Sequence, residues 1–383
     1  MMRISRRGAV DPFIVMEVME AARAREAAGA DVVHMEVGQP GAAAPARAIE
    51  AARAAMARGP LGYTVALGLP ELRERIARRY AERHGVVVAP ERIAVTAGAS
   101  AGFLLAALAL FDAGDRVALA EPGYPAYRNM ARALDLIPVG VPTGPQTRFQ
   151  PDAHLLADAG RAGRLAGVIA ASPSNPAGTM LDRAAMAALA VECRRIGATL
   201  VSDEIYHGLE HGARAVSALE VDPDAVVINS FSKYFCMAGW RVGWIVAPPE
   251  AIAAVERLSQ NLFICAPHVS QVAALAAMDA EDTLEAEVEV YRANRALLLE
   301  ELPKAGFRSF APCDGAFYLY ADVGDLTDDS VAFCRRMLQE AGVAATPGVD
   351  FDPPRGRSFV RFSFAGPTAR MREAARRLRD WRG

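Results

Sequence analysis

Short apolar runs alternate with longer segments of helical spacing along most of this chain, and that alternation restricts its fold more than any other feature. Runs of strand length lie at 32–37, 92–96, 116–120, 136–141, 167–171, 199–203, 225–230 and 242–247. Segments with helical spacing lie among them at 70–83, 99–111, 183–196 and 249–260, and residues such as Pro45, Pro70 and Asp182 mark helix starts. Several runs are apolar without strict alternation, as expected of strands covered on both faces of a parallel sheet. The pattern predicts a large, doubly wound, mostly parallel α/β domain. Beyond 281 the pattern changes to a long charged helix over 282–302. Strands then follow at 316–321, 343–346 and 358–364, and helices at 330–341 and 368–381. A smaller α+β domain is predicted there, joined by a helix over 12–28. The expected division is 38–281 for the large domain, and 1–37 with 282–383 for the small one.

Composition narrows the class of protein. A chain of 383 residues favours two domains with a large core. A formal charge of −3 with no basic block lacks the electrostatic footprint of a nucleic-acid binder. At 52% hydrophobic residues and so small a net charge, disorder is not expected. The five cysteines are scattered and form no Cys-x-x-Cys pair, which argues against a disulfide framework or zinc site and predicts a cytoplasmic protein. Asp11, Glu17 and Glu20 interrupt the N-terminal segment, so no signal peptide is expected. The uncharged stretch 93–111 contains Thr96, Gly98, Ser100 and Gly102, which favour a buried strand, a tight turn and a buried helix over a membrane span.

The basic residues comprise 40 Arg and only two Lys, Lys233 and Lys304. Arginine replaces lysine as a solubilising charge but not as a nucleophilic amine, because guanidinium stays protonated. Lys304 ends a helix and reads as an ordinary exposed residue. Lys233 follows the run 225–230. In open α/β sheets, ligands bind beyond the carboxyl ends of the strands. Parallel strands would bring Asn175, Asp203, Tyr206 and Lys233 to one sheet edge. A carboxylate and a lysine together suit either a salt bridge or a Schiff-base lysine with a carboxylate against a pyridine nitrogen. The turn Gly98-Ala99-Ser100, between a strand and a helix start, is a candidate phosphate site, with Ser230, Ser232 and Arg241 adding hydroxyls and charge.

The segments VGQP, YT…G…LR, TAGAS, EPGYPAY, SPSNPAG, SDEIY, SFSKYFCMAGWRVGW and RFSFA occur in order across nearly the whole chain. Together they resemble the class I/II aminotransferases of pyridoxal-phosphate (PLP) fold type I, the aspartate aminotransferase superfamily. The resemblance implies pyridoxal 5′-phosphate as cofactor and exchange of an amino group between an L-amino acid and a 2-oxo acid by a ping-pong mechanism. It makes Lys233 the Schiff-base lysine and proton shuttle, Asp203 the pyridine-nitrogen partner, and Tyr206 and Asn175 the ring-hydroxyl contacts. Ser230, Arg241, Ala99 and Ser100 match phosphate ligands, and Tyr124 the aromatic stacked on the ring. Tyr63 matches a tyrosine that reaches the neighbouring subunit's phosphate, so a homodimer is implied. Arg361 matches the grip on the substrate α-carboxylate, with Gly38 a backbone contact to the same group.

Other readings are weighed against this one. His207 and His211 are spaced i,i+4, but no carboxylate ligand is placed to complete a metal site, and both are read as structural or exposed. Cys236 is read as a small apolar filler. A PLP-dependent carbon–sulfur β-lyase would use the same residues for another reaction. A cofactor-sensing regulator would need a DNA-binding module, for which the segment before Val32 is too short. The donor and acceptor stay open.

Overall fold

The computed structural model of the chain describes residues 2–381. Its main sheet has seven strands in the spatial order Ile93–Thr96, Gly243–Val246, Val226–Ser230, Thr199–Asp203, Gly167–Ala171, Arg116–Glu121, Ile137–Pro142. Gly243–Val246 runs antiparallel to both neighbours, and the other six strands are parallel. Successive residues of one strand enter opposite cores. Val117, Ile169, Val201 and Ile228 pack in the layer that contains Phe103, Leu105 and Val255, whereas Ala118, Val168, Leu200 and Val227 pack in the layer that contains Met186, Leu189 and Cys193. Burial on both faces is what removes strict polar alternation from these runs.

Helix boundaries follow local chemistry. Asp182 accepts a hydrogen bond from the Ala185 amide at the start of Arg183–Ile196, and Gly197 ends that helix in the left-handed conformation. Helix Gly98–Leu110 lies close over the sheet at Gly102, where a side chain would press on Ile228 and Ile245. The helix Ala46–Arg58 begins after Pro45, one of the expected helix starts, whereas the helices Pro125–Ala133, Ala153–Arg161 and His268–Ala277 were not expected from the apolar spacing. Ala46–Arg58 buries only Ala48 and Ala52, so it presents no stripe of large apolar residues.

The C-terminal part builds a four-stranded antiparallel sheet in the order Thr346–Pro347, Phe359–Ser363, Tyr318–Asp322, Ser309–Phe310. The expected strand 32–37 shortens to Val33–His34, which pairs in parallel with Val343–Ala344. The expected strand 343–346 divides at Ala345 to serve both small sheets. The shortening has a direct cause: the Glu36 carbonyl accepts hydrogen bonds from the side chains of Arg361 and Thr346 rather than from a strand. The expected helix 330–341 is helical over Ser330–Arg336 and widens to a π-type turn over Met337–Ala341. No helix among the described residues is long and apolar enough to cross a membrane, and 93–111 forms the strand, turn and helix expected of it.

Ile228 is fully buried where this helix meets the sheet. Truncation to alanine is expected to cost about 2–5 kcal/mol, the usual range for a buried aliphatic side chain. Thermal unfolding of Ile228→Ala checks this, and an unchanged midpoint would contradict the packing described.

Candidate active site

Three adjacent parallel strands end close together: Ala171 pairs with Asp203 at the ends of their strands, and Asp203 pairs with Ile228, near the end of Val226–Ser230. The chain leaving Gly167–Ala171 carries Asn175, Thr199–Asp203 ends on Asp203 with Tyr206 three residues later, and Val226–Ser230 leads to Lys233. These residues line a cavity of about 490 Å³. Tyr124, Ala99, Ser100, Ser230, Arg241, Gly38 and Arg361 line the same cavity.

At its centre, the Lys233 Nζ donates to the Gly38 carbonyl and sits 5.8 Å from the centroid of the Tyr206 ring. Burial, and then the charge of Arg361, lower its pKa to about 8, with Asp203 opposing. Asp203 is 2% exposed, and burial raises its carboxyl to about 6. Its Oδ2 accepts from the Tyr127 hydroxyl and its Oδ1 from the Ile205 amide at 3.1 Å, and both hydrogen bonds favour the ionised form. Tyr206 pairs its hydroxyl with that of Tyr318 at 2.8 Å, and burial holds the Tyr206 phenol well above its ordinary pKa. Gly38 is required where it stands, since a Cβ there would run into the Tyr318 hydroxyl.

One end of the cavity gathers uncapped helix amides, hydroxyls and a guanidinium. Gly98, Ala99 and Ser100 form the first turn of Gly98–Leu110, and no side chain caps that turn, so its amides point outward beside the positive end of the helix dipole. Ser230 donates to Ser232 Oγ at 2.8 Å and to the Val242 carbonyl at 3.2 Å. Arg241 holds a left-handed backbone with φ +53°, an uncommon conformation for a residue with a side chain. Its guanidinium packs so closely on Gly98 that a Cβ at Gly98 would collide with it, and Gly98 itself has φ +79°. Strain of this kind collects at functional sites.

Arg361 forms another corner. It is 3% exposed and lies on Phe359–Ser363. Its Nη1 donates to Asn175 Oδ1 at 2.8 Å, and its Nη2 to the Glu36 carbonyl at 2.5 Å and to Thr346 Oγ1 at 3.3 Å. The guanidinium carbon lies 4.4 Å from the Tyr318 ring and 4.7 Å from the Phe351 ring. Its Nε has no partner, and Arg361 forms no ion pair among the described residues. A buried cation that meets only neutral acceptors can pair with an anion that enters the cavity.

Tyr63 stands apart from the other expected site residues. It is 81% exposed and does not line this cavity. Lys304 is a helix-end residue paired with Glu300 and Glu301. His207 and His211 each bond a backbone carbonyl, that of Ser172 and that of Ala316. His207 is buried rather than exposed, and burial lowers its pKa well below the ordinary value. No metal-binding cluster of His, Cys, Asp or Glu is present among the described residues. Cys236 is buried, and burial raises its thiol pKa to about 12, so it is an inert filler. Tyr127 and Tyr318 are the polar groups the sequence reading missed. Tyr127 had a usable signal, since it lies three residues past Tyr124 and therefore near it on the helix Pro125–Ala133. Tyr318 had none, because its strand reads as ordinary core.

Comparison with known proteins agrees with this geometry. The family profile "Aminotransferase class I and II" matches residues 30–378. An aminotransferase of known structure from Mycobacterium tuberculosis superposes with a TM-score of 0.97 at 49% identity, covering 100% of this chain and 99% of that one. The aspartate aminotransferase of Thermus thermophilus, solved with maleate, gives 0.93 at 33% identity, covering 99% and 100%. The fold is thus that of the PLP fold type I enzymes. The valine–pyruvate aminotransferase of M. tuberculosis is 50% identical over 383 residues, 99% of this chain and 98% of that protein. The chain belongs to the class I and II aminotransferases, and it is an amino acid aminotransferase.

Asp203 also bears on stability. Its folded pKa of about 6 lies above the ordinary 3.8, so its stabilising contribution is complete below pH 3.8 and is lost as pH rises through 6. Near pH 8 the buried carboxylate is a cost, on the order of 2–3 kcal/mol. Asp203→Asn keeps an acceptor for Tyr127 and removes the charge. Thermal unfolding of the cofactor-free protein is expected to give a higher midpoint for this variant at pH 8, with the difference shrinking at pH 5. Equal midpoints at pH 8 would contradict the assigned burial.

Proposed function

We propose that this aminotransferase uses pyridoxal 5′-phosphate, held between Lys233 and the anion site at Gly98–Ser100, and that Arg361 grips the α-carboxylate of an L-amino acid or 2-oxo acid. The observation that carries this reading is the charge arrangement of the cavity. Half-buried Lys233 and buried Arg361 share it with buried Asp203, and none of the three forms an ion pair among the described residues. The donor set suits the cofactor: a primary amine for its aldehyde, a carboxylate for its pyridine nitrogen, and free amides, Ser230 and Arg241 for its phosphate. When bound, this cofactor supplies an aldehyde and a protonated ring that draws in the electron pair released at the substrate α-carbon.

The chain's own residues do the rest. Lys233 Nζ, with a pKa of about 8, is partly neutral near physiological pH and can take the proton from the substrate α-carbon. Asp203, oriented by Tyr127 and the Ile205 amide, holds a proton at the ring nitrogen. Asn175 steadies Arg361 through its Oδ1, and the phenol of Tyr206 hydrogen-bonds the ring hydroxyl. Tyr124, packed edge-on against Tyr127 with ring centroids 5.4 Å apart, is held in place to cover the ring.

The proposal includes a cytoplasmic homodimer in which Tyr63, exposed on its own chain, reaches the partner's phosphate site. The exposure of Tyr63 and the five unpaired cysteines support it. The division into 38–281 and 1–37 with 282–383 belongs to the same reading, supported by the separate sheets and by a cavity lined from both. The name of the valine–pyruvate relative supports pyruvate as an acceptor, with 2-oxoglutarate the alternative.

Lys233→Ala is expected to lose about 10²–10⁴-fold or more in kcat, the range for a removed acid–base group, when alanine and 2-oxoglutarate are assayed. Arg361→Lys keeps the charge and loses the two-pronged grip, so kcat/KM is expected to fall roughly 100-fold for every donor while cofactor content is retained. Normal turnover by Lys233→Ala would end the proposal. A loss confined to one donor would remove Arg361 from the shared carboxylate role.

A further inference from the structure

The wall of the cavity not used by the groups above is apolar, and much of it comes from the N-terminal helix Ile14–Ala27 and the residue before it. Phe13, Met16 and Met19 from this segment line the cavity with Leu104, Met130 and Phe351. Two contacts place this wall beside the reacting centre. The ring of Phe13 meets Tyr124 edge-on, with centroids 5.7 Å apart, and the ring of Phe351 lies 4.7 Å from the Arg361 guanidinium carbon. The helix is held there by Asp350, whose carboxylate oxygens accept from the Ile14 and Val15 amides, each at 3.4 Å. Arg128 donates to the Asp350 carbonyl at 2.7 Å and braces the same corner.

The cations that line this cavity are Lys233, Arg241 and Arg361, and each already has a task. Asp350 also lines the cavity, and its oxygens are occupied by backbone amides. The geometry points to an apolar side-chain subsite on the N-terminal helix, so that the enzyme takes L-amino acids with uncharged, apolar side chains and rejects acidic ones. An acidic side chain would be stripped of water against methionine and phenylalanine, with Asp350 nearby and no uncommitted cation among the described residues that line the cavity to meet it. Methionine suits such a wall, because its flexible thioether adapts to aliphatic chains of different branching. This inference rests on the aminotransferase reading and on the grip assigned to Arg361.

Steady-state kinetics of the holoenzyme test it, with pyruvate and 2-oxoglutarate as acceptors and L-leucine, L-methionine, L-aspartate and L-arginine as donors. Leucine and methionine are expected to exceed aspartate and arginine in kcat/KM by at least roughly 100-fold, the scale on which an apolar pocket already discriminates between similar side chains. Met19→Arg is expected to raise the aspartate-to-leucine ratio at least ~10-fold by adding a cation to the wall. Met19→Leu should leave that ratio within about threefold, since shape and polarity are nearly kept. Aspartate equal to leucine, arginine the best donor, or an unmoved ratio in Met19→Arg would overturn the subsite while leaving transamination intact. Amino transfer from none of the donors would instead overturn the reading on which the subsite rests.

Discussion

A half-buried amine and a buried carboxylate share one cavity here without closing on each other, and the function depends on that separation. Lys233 gives its hydrogen bond to the Gly38 carbonyl, and Asp203 takes its own from Tyr127 and the Ile205 amide. Had the two formed an ion pair, the amine would be fixed as ammonium and the carboxylate would have no charge to offer a ring nitrogen. The sheet keeps them apart. Asp203 ends one strand, and Lys233 lies three residues beyond the end of the next, Val226–Ser230.

Electrostatics and stability pull in opposite directions at this site. Burial lowers the pKa of Lys233 and raises that of Asp203, so each charge is held against its own desolvation. Arg361 is buried among neutral acceptors and aromatic faces, and Arg241 sits on a left-handed backbone. None of these arrangements favours folding by itself. They are sustained by strands packed on both faces and by glycines at 38 and 98 that leave room for the groups beside them. Such trade-offs are usual where a protein must bind charge.

Much of this was legible in the sequence, for physical reasons. Strands covered on both faces lose polar alternation, so their runs stood out, and the residues that follow their ends were the natural site candidates. The scarcity of lysine isolated Lys233. What stayed hidden depended on tertiary contacts. Tyr318 reads as one more strand residue, yet its hydroxyl meets Tyr206 and its ring covers Arg361. The helix Ala46–Arg58 buries only alanines fully, and the run 32–37 is cut short because the Glu36 carbonyl serves Arg361. Residues Phe13, Met16 and Met19 carry no motif, and only the folded chain brings them to the cavity.

The most direct test of the central claim is chemical. Purified protein incubated with pyridoxal 5′-phosphate is reduced with borohydride, digested and mapped by mass spectrometry. The account predicts one stable adduct on the peptide containing Lys233, with Lys304 unmodified. An adduct confined to Lys304 or the N-terminus, or none at all, would contradict it.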